Sequence, residues 1–404
     1  MQYIWGIIGI IGILSIAIAL STARKSINLR TIIGALAIQL IFAFIVLKWE
    51  FGRKILQVIS GIVQKVIDSS DAGVQFMFGG ILSAENAGFT FALQVLPIII
   101  FFASLISVLY YLGVMQFATK IIGGLLAKVL KTSEPESMSA AANIFLGPTE
   151  APLVIKPYID KMTKSELFAV MVGGMACVSG AVLGGYATLG VPLDYLLAAA
   201  FMGAPAGLLF AKIIVPQTER LNTDNRIQMA KDEESKNVID AASRGAMDGL
   251  KIAVSVGALL LAFISLIFLV NMIIGAIGGI FGYDSLTLEQ ILGYLFFPFA
   301  FLIGIPWDEA LKAASFIGQK FVLNEFVAYT SFASEIANLS PKSVVMISFA
   351  LCGFANLAAI ALLIGGLGGM APSRRQDIAE MGLRAIIAAT LANLLSAAIA
   401  GMLV

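Results

Sequence analysis

Long apolar runs alternate with short polar connections along most of this chain. A helix needs about 20 mainly apolar residues to cross the hydrocarbon core of a bilayer. Eight stretches meet this requirement and are predicted to span a membrane: 2–20, 31–48, 92–114, 166–190, 193–215, 248–278, 342–368 and 379–403. The pattern therefore predicts an all-α integral membrane protein with about eight transmembrane helices.

Other apolar stretches are too short, too polar or too interrupted to cross a bilayer. Residues 116–131 and 285–304 are amphipathic, and 51–68 places basic residues beside apolar ones. An amphipathic helix of this kind lies in the membrane interface. The sequence therefore predicts interfacial helices in addition to the spans.

Residues 216–246 are the one long polar stretch, and we interpret them as a solvated cytoplasmic linker. The linker separates two halves, 91–215 and 247–404, which share one order of elements: a span, an amphipathic stretch, a broken segment and two spans. Each half crosses the membrane three times, which is an odd number, so the second half is predicted to be inverted relative to the first. Residues 1–90 supply amino-terminal scaffold helices and the interfacial helix. Inverted repeats with broken helices are typical of secondary transporters, whose site lies near the midplane.

Each half contains a polar, interrupted segment at membrane depth. Such backbone is tolerated only where it is buried in protein or lines a wet cavity. Segments 134–162 and 306–338 are therefore predicted to be re-entrant helical hairpins. The first tip reads Gly-Pro-Thr-Glu over 147–150, and the second reads Asn-Glu over 324–325. A carboxylate at membrane depth is costly, which makes each tip a candidate functional site.

A span with a non-helical centre is predicted after each hairpin, over 176–190 and over 352–369. Lysines also occur inside both hairpins. Lys156 and Lys320 could each pair with a carboxylate or extend towards the interface, and we interpret Lys156 as extending.

Composition supports a membrane protein and excludes several functions. The chain has 404 residues, of which 59% are hydrophobic and 13% charged, with mean hydropathy +0.95. A net charge of +1 argues against a nucleic-acid partner. The chain has no histidine and only two cysteines, Cys177 and Cys352, both in apolar surroundings. The usual general base and metal ligand, histidine, is therefore missing, and no zinc site or covalently bound cofactor is indicated. An enzyme that used the two tip carboxylates as acid and base is disfavoured.

Basic residues set the predicted orientation. Clusters of Lys and Arg follow the first span, lie between the third and fourth, fill the linker and precede the last span. Positive residues favour the cytoplasmic side, which places the amino terminus outside. The first 20 residues lack a basic start, so they are predicted to be a membrane helix rather than a cleaved signal.

Three motifs carry a resemblance to a known family. The stretch "GQKFVLNEFVAY" (318–329), together with "CGFAN" (352–356) and "TEAPL" (149–153), is similar to motifs of the concentrative nucleoside transporter family. The first motif fits that family's pattern Gly-x-Lys-x3-Asn-Glu-Phe-Val-Ala-aromatic at every fixed position, and the order of elements matches over 90–404. The resemblance implies a homotrimer in the bacterial cytoplasmic membrane. It also implies elevator-like movement of a transport domain and nucleoside uptake in symport with a cation.

The resemblance also implies the substrate-binding residues. Near the nucleobase it places Gly147, Pro148, Thr149 and Glu150, with Val182 on the following helix, and near the ribose it places Glu325, Phe354 and Asn356. A carboxylate and an amide suit a pair of hydroxyls, because one accepts hydrogen bonds and the other both donates and accepts. Apolar side chains suit the flat base.

Departures from the family pattern affect specificity and coupling. The usual Gln of the first tip is Pro148, and a Ser expected to reach ribose is Ala359. The coupling-ion candidates that the resemblance implies are Asn143, Leu146, Cys177 and Val178, and Cys177 stands where sodium-coupled relatives have Ser. A thiol is a poor ligand for a hard cation. The sequence therefore favours a proton over sodium, carried by one of the two tip glutamates, and Asn143 is a metal ligand only if sodium is the coupling ion.

Two alternatives differ in what is carried and how. The fold could carry a different or modified nucleoside-like solute, since the Gln and Ser are missing. A channel is the second alternative, but the carboxylates occur once per half rather than as a ring around a pore.

Overall fold

A computed structural model describes residues 2–83, 90–221, 235–280, 282–283 and 286–404. Throughout these residues the regular structure is helical, as predicted. The amino-terminal helices are α1 (Gln2–Ala19), α2 (Leu29–Ala43, continued by a π-helical turn over Phe44–Lys48) and α3 (Glu50–Leu82). The predicted linker 216–246 lies partly outside the described residues, because it includes 222–234. Its predicted end is too late, since the next described helix begins at Val238.

The two halves repeat one order of elements, as the sequence predicts. The first half contains α4 (Phe91–Gln94), α5 (Leu96–Tyr111), α6 (Val114–Leu130), α7 (Glu134–Ala142), α8 (Lys164–Ala176), α9 (Gly180–Thr188) and α10 (Leu193–Ile214). The second half contains α11 (Val238–Ile280), α12 (Leu288–Ile303), α13 (Trp307–Val322), α14 (Glu325–Ala333), α15 (Pro341–Leu351), α16 (Ala359–Met370) and α17 (Arg375–Leu403).

Most of the predicted spans are long helical segments in the structure. Six helical segments of the described chain are long and apolar enough to cross a membrane, or seven if α12 and α13, bent by 119°, count as one span. The predicted span 342–368 consists of two short helices, α15 and α16, separated within the predicted non-helical centre. Between them the Asn356 side chain accepts a hydrogen bond from the Ala359 N–H, which offers the backbone an alternative to the helical pattern. The first predicted span, 2–20, is the apolar helix α1 of 18 residues.

The predicted interfacial helix 51–68 is too short, because α3 continues to Leu82. Polar residues from Asp68 onward do not end the helix, because their side chains bond within it. Asp68 accepts from Gln64, and the Ser69 and Ser70 hydroxyls donate to the Lys65 and Ile67 carbonyls. Local bonding of this kind satisfies polar groups without ending a helix.

The helices fall into a buried central group and a more exposed peripheral pair, α5 and α11. The span over α8 and α9 is 94% buried, whereas the span over α11 is 11% buried. Helices α8, α10, α15 and α17 pack together in the centre, and α5 packs along α11. Helices α1 and α2 pack on α10 and α17. The Ser60 hydroxyl of α3 donates to the carboxylate of Asp194, at the start of α10.

Both predicted hairpins are present. A capping box of Ser133 and Glu136 opens α7, which is the first limb of the first hairpin. Its returning limb, Ala151–Lys161, is a 3₁₀ helix that contains Pro152 and Pro157. Proline has no N–H to donate, which disfavours a regular α-helix there. The second hairpin bends between α13 and α14, and Asn324 caps α14 by accepting from the Val327 N–H at 2.9 Å.

Candidate functional site

The two broken helices meet at their breaks. Helix α8 ends at Ala176, and Cys177 is extended, with φ −110° and ψ 168°. Helix α15 ends at Leu351. The Phe354 N–H donates to the Cys177 carbonyl at 3.3 Å, so the two breaks are hydrogen-bonded to each other. Helix ends expose backbone groups without intrahelical partners, so this junction offers polar backbone atoms inside the protein.

The first hairpin tip is a tight turn closed by its own carboxylate. Oε2 of Glu150 accepts from the Gly147 N–H at 3.2 Å, and the Gly147 carbonyl accepts from the Ala151 N–H at 2.9 Å. The Gly180 N–H of α9 donates to the Phe145 carbonyl at 3.0 Å, which ties the tip to the broken helix of its own half.

Two glycines allow the first tip to approach its neighbours. A Cβ on Gly174 of α8 would lie 3.0 Å from Cβ of Pro148, and a Cβ on Gly366 of α16 would lie 2.7 Å from Cγ2 of Thr149. Pro148 therefore packs on α8, and Thr149 packs on a helix of the second half. Thr149 and Glu150 are half-buried, whereas Gly147 and Pro148 are buried.

The second hairpin tip places Glu325 between two polar side chains. Oε1 of Glu325 accepts from the Tyr186 hydroxyl at 3.2 Å, and Oε2 accepts from Nδ2 of Asn356 at 3.0 Å. Glu325 and Asn356 are each 5% exposed, and Tyr186 is fully buried. The structure thus brings Glu325 and Asn356 together. It adds Tyr186, which no sequence motif singled out.

Each tip contacts the second limb of the broken helix in the opposite half. Thr149 contacts α16 at Gly366, and Glu325 contacts α9 at Tyr186. This crosswise arrangement brings both tips to the same pair of helix breaks. Phe354 is half-buried beside the junction, and Val182 of α9 is 3% exposed.

The coupling-ion candidates lie along the first tip and the first break. Asn143 is 1% exposed; its Nδ2 donates to the Ser139 carbonyl at 2.8 Å, while its Oδ1 has no hydrogen-bond partner among the described residues. The Cys177 thiol is packed against α10, where a Cβ on Gly203 would lie 2.7 Å from Sγ. Leu146 and Val178 are buried in the same two segments, and their carbonyls are the backbone candidates.

Two buried lysines anchor the hairpins. Lys212 of α10 forms an ion pair of 2.5 Å with Glu136 at the root of the first hairpin and donates to the Ser165 hydroxyl at 2.9 Å. Lys320 of the second hairpin neither pairs with a carboxylate in the described part of the chain nor extends to the interface. Its Nζ, in a residue 2% exposed, donates to Oδ1 of Asn393 and to the Ala350 carbonyl. Lys156 is exposed, which is consistent with extension.

An apolar cavity of about 140 Å³ lies apart from these groups, between α2, α6 and α10. Gln39 contributes a buried Nε2 with no partner among the described residues. The cavity includes none of the predicted substrate-binding residues.

The sequence matches family models along nearly its whole length. Residues 8–81 match the family described as "Na+ dependent nucleoside transporter N-terminus", 195–401 match "Na+ dependent nucleoside transporter C-terminus", and 92–193 match "Nucleoside recognition".

Individual relatives match this chain over nearly the full length of both sequences. The chain is 54% identical to "Uncharacterized transporter YutK" of Bacillus subtilis (strain 168), over 100% of both chains. It is 47% identical to "Nucleoside permease NupC" of Helicobacter pylori, over 99% of this chain and 98% of that one. Among solved structures, CNTnw in an inward-facing substrate-bound state matches with a TM-score of 0.96 and 53% identity, over 100% of this chain and 98% of that one.

The helical hairpins and broken helices, together with these similarities, define a multi-pass membrane transporter rather than an enzyme. The chain belongs to the concentrative nucleoside transporter family, as the sequence motifs indicated.

Proposed function

We propose that this protein imports nucleosides by symport with a cation, through elevator-like movement of a transport domain. The observation that carries the proposal is the buried cluster of Glu325, Asn356 and Tyr186 at the second hairpin tip. A carboxylate and an amide held side by side can bind two neighbouring hydroxyls, as a ribose offers. A site that hydrogen-bonds hydroxyls discriminates strongly against analogues without them.

The nucleobase is proposed to lie towards the first tip. Gly147, Pro148, Thr149 and Glu150 would surround it, with Val182 and Phe354 against its flat apolar faces. Pro148 packs on α8 and has no side-chain hydrogen-bonding group, so base selectivity at this position depends on shape rather than on a side-chain amide. The ligand shifts the equilibrium between carrier states only by its different affinities for them.

A proton is our first proposal for the coupling ion, with Glu150 or Glu325 as its carrier. It is supported by Cys177, whose thiol is a poor ligand for a hard cation and packs against α10. Sodium is the second candidate, because Oδ1 of Asn143 is a buried oxygen without a partner among the described residues. With carbonyls of Leu146 and Val178 it would offer the oxygen ligands that hard cations prefer.

The assembly proposed is a homotrimer in a bacterial inner membrane, with the amino terminus outside. Within each protomer, the proposed segments are the amino-terminal helices 1–90, the repeats 91–215 and 247–404, and the linker 216–246. Basic residues of the linker support the orientation, and the family resemblance supports the trimer.

Uptake into proteoliposomes tests the function. Radiolabelled uridine, adenosine, guanosine and inosine would be offered under a proton gradient and, separately, under a sodium gradient. Saturable uptake with counterflow supports a carrier, whereas unsaturable flux supports a channel. Uptake of none of the four nucleosides, with Glu325→Gln behaving like the parent, would remove the nucleoside assignment and favour another solute. In the variant Pro148→Gln, the restored amide is expected to change the ratio of purine to pyrimidine uptake.

A further inference from the structure

Asn393 of α17 connects both helix breaks. Its Nδ2 donates to the Ala176 carbonyl at 2.8 Å and to the Cys352 carbonyl at 3.0 Å. The Ala176 carbonyl lies at the end of α8, and the Cys352 carbonyl directly follows the end of α15. Neither carbonyl therefore has an intrahelical donor. Asn393 is 2% exposed, so water does not replace the lost partners. One amide group thus satisfies one carbonyl at each of the two helix breaks.

Lys320 adds a buried hydrogen-bond donor to the same place. Its Nζ donates to Oδ1 of Asn393 at 2.6 Å and to the Ala350 carbonyl at 2.8 Å. The carboxyl ends of helices carry negative partial charge. The Lys320 amino group therefore donates to the end of α15 directly and is connected to the end of α8 through the Asn393 amide. We call Lys320 and Asn393 the polar joint.

A glycine makes the polar joint possible. A Cβ on Gly353 would lie 2.5 Å from Oδ1 of Asn393 and 2.9 Å from the Met175 carbonyl. Both distances are shorter than normal contacts, so a side chain at 353 would displace Asn393 or separate the two breaks. The close approach of three backbone segments is therefore specific to this glycine.

The polar joint holds the two elements that carry the ribose pair. Lys320 lies five positions before Glu325 on the second hairpin, and the segment after Gly353 leads to Asn356 within three residues. Glu325 and Asn356 bond each other at 3.0 Å, so their relative position depends on how hairpin and break are joined. We propose that Lys320 and Asn393 are positioning residues for the nucleoside site, an inference that rests on the proposed function.

The test uses Lys320→Met, Asn393→Leu and the double variant in proteoliposomes. Each single variant is expected to raise KM for the preferred nucleoside about 10-fold. The reason is that displacement of Glu325 and Asn356 would lose a charge-assisted hydrogen bond to the ribose. The double variant is expected to match the worse single variant within about threefold, since either change already opens the joint. A purely structural role would lower the amount of folded protein and leave KM of the folded fraction unchanged.

Lys156→Met is the matched control, because Lys156 is an exposed lysine on the other hairpin; its KM is expected to equal that of the parent. Asn393→Asp covers the case in which the apolar variants do not fold. It keeps the acceptor for Lys320 and loses the two amide donations, so a raised KM is again expected. An unchanged KM in Asn393→Asp, or in both single variants, overturns the proposal while leaving the transport function intact. Absence of nucleoside uptake by the parent overturns both.

Discussion

Tyr186 and Glu325 lie 139 positions apart, and the Tyr186 hydroxyl donates to Oε1 of Glu325 at 3.2 Å. The bond joins the second limb of the first broken helix to the tip of the second hairpin. Tyr186 also packs beside Phe326 and Tyr329, with ring centroids 4.7 and 4.5 Å away. The hydroxyl is therefore fixed by an aromatic cluster and orients the carboxylate that the proposed ribose site needs.

Tyr186→Phe is expected to weaken nucleoside binding while retaining the packing. A hydrogen bond to a charged group contributes about 1.5–3 kcal/mol, so KM is expected to rise about 10-fold or more. Uptake kinetics in proteoliposomes would measure it. Tyr329→Phe is the control, because the Tyr329 hydroxyl is equally buried but donates to the Ser348 carbonyl. Equal KM values for both variants would argue against a role of Tyr186 in orienting Glu325.

Glu325→Gln is expected to abolish detectable nucleoside uptake. The neutral amide cannot accept bonds from Tyr186, Asn356 and a ribose hydroxyl with the strength of a carboxylate. Uptake and direct nucleoside binding to the purified protein would be compared. Glu335→Gln serves as control, since Glu335 lies at the exposed mouth of the hairpin and pairs with Lys312 at 2.7 Å. Parent-like binding by Glu325→Gln would place the ribose elsewhere.

Adjacent glycines in α16 allow a matched test of the contact between the halves. In Gly366→Ala the added Cβ would lie 2.7 Å from Cγ2 of Thr149, whereas Gly365→Ala would meet nothing within 4 Å. We expect Gly366→Ala to move the first tip and reduce uptake efficiency about 10-fold, because overpacking costs about 1–3 kcal/mol. Gly365→Ala is expected to retain the parent's uptake. Similar uptake by the two variants would mean that the Thr149 contact does not hold the tip.

The buried ion pair of Glu136 and Lys212 is expected to stabilise the root of the first hairpin. Breaking a buried pair leaves one charge uncompensated and costs about 3–5 kcal/mol. Lys212→Met and Glu136→Gln should each lower the unfolding temperature in detergent, and the double variant should recover part of the loss. Lys251→Met provides the exposed comparison, since Lys251 and Asp248 form a solvent-exposed pair and such pairs contribute little. Additive losses in the double variant would show that the two groups do not act as a pair.

The sequence predicted the hairpins because polar residues at membrane depth have few permitted structures. The tips at 147–150 and 324–325, and helix breaks within 176–190 and 352–369, follow from Gly, Pro, Asn and Glu inside apolar runs. The end of the interfacial helix at 68 was predicted wrongly. The deciding factor there is where individual side chains hydrogen-bond, which hydropathy does not report.

The sequence alone determined the membrane location, the repeated order of elements and the positions of the two tip carboxylates, because each depends on local composition and spacing. Only the tertiary structure decided which groups meet. Tyr186 lies in an apolar run like many others, and Asn393 is one amide in a long helix, so neither carries a local signal. Their partners, Glu325 and the Ala176 and Cys352 carbonyls, are brought to them by packing between distant segments. Burial then makes those few hydrogen bonds decisive, because an unpaired polar group inside the protein has no water to replace its partner.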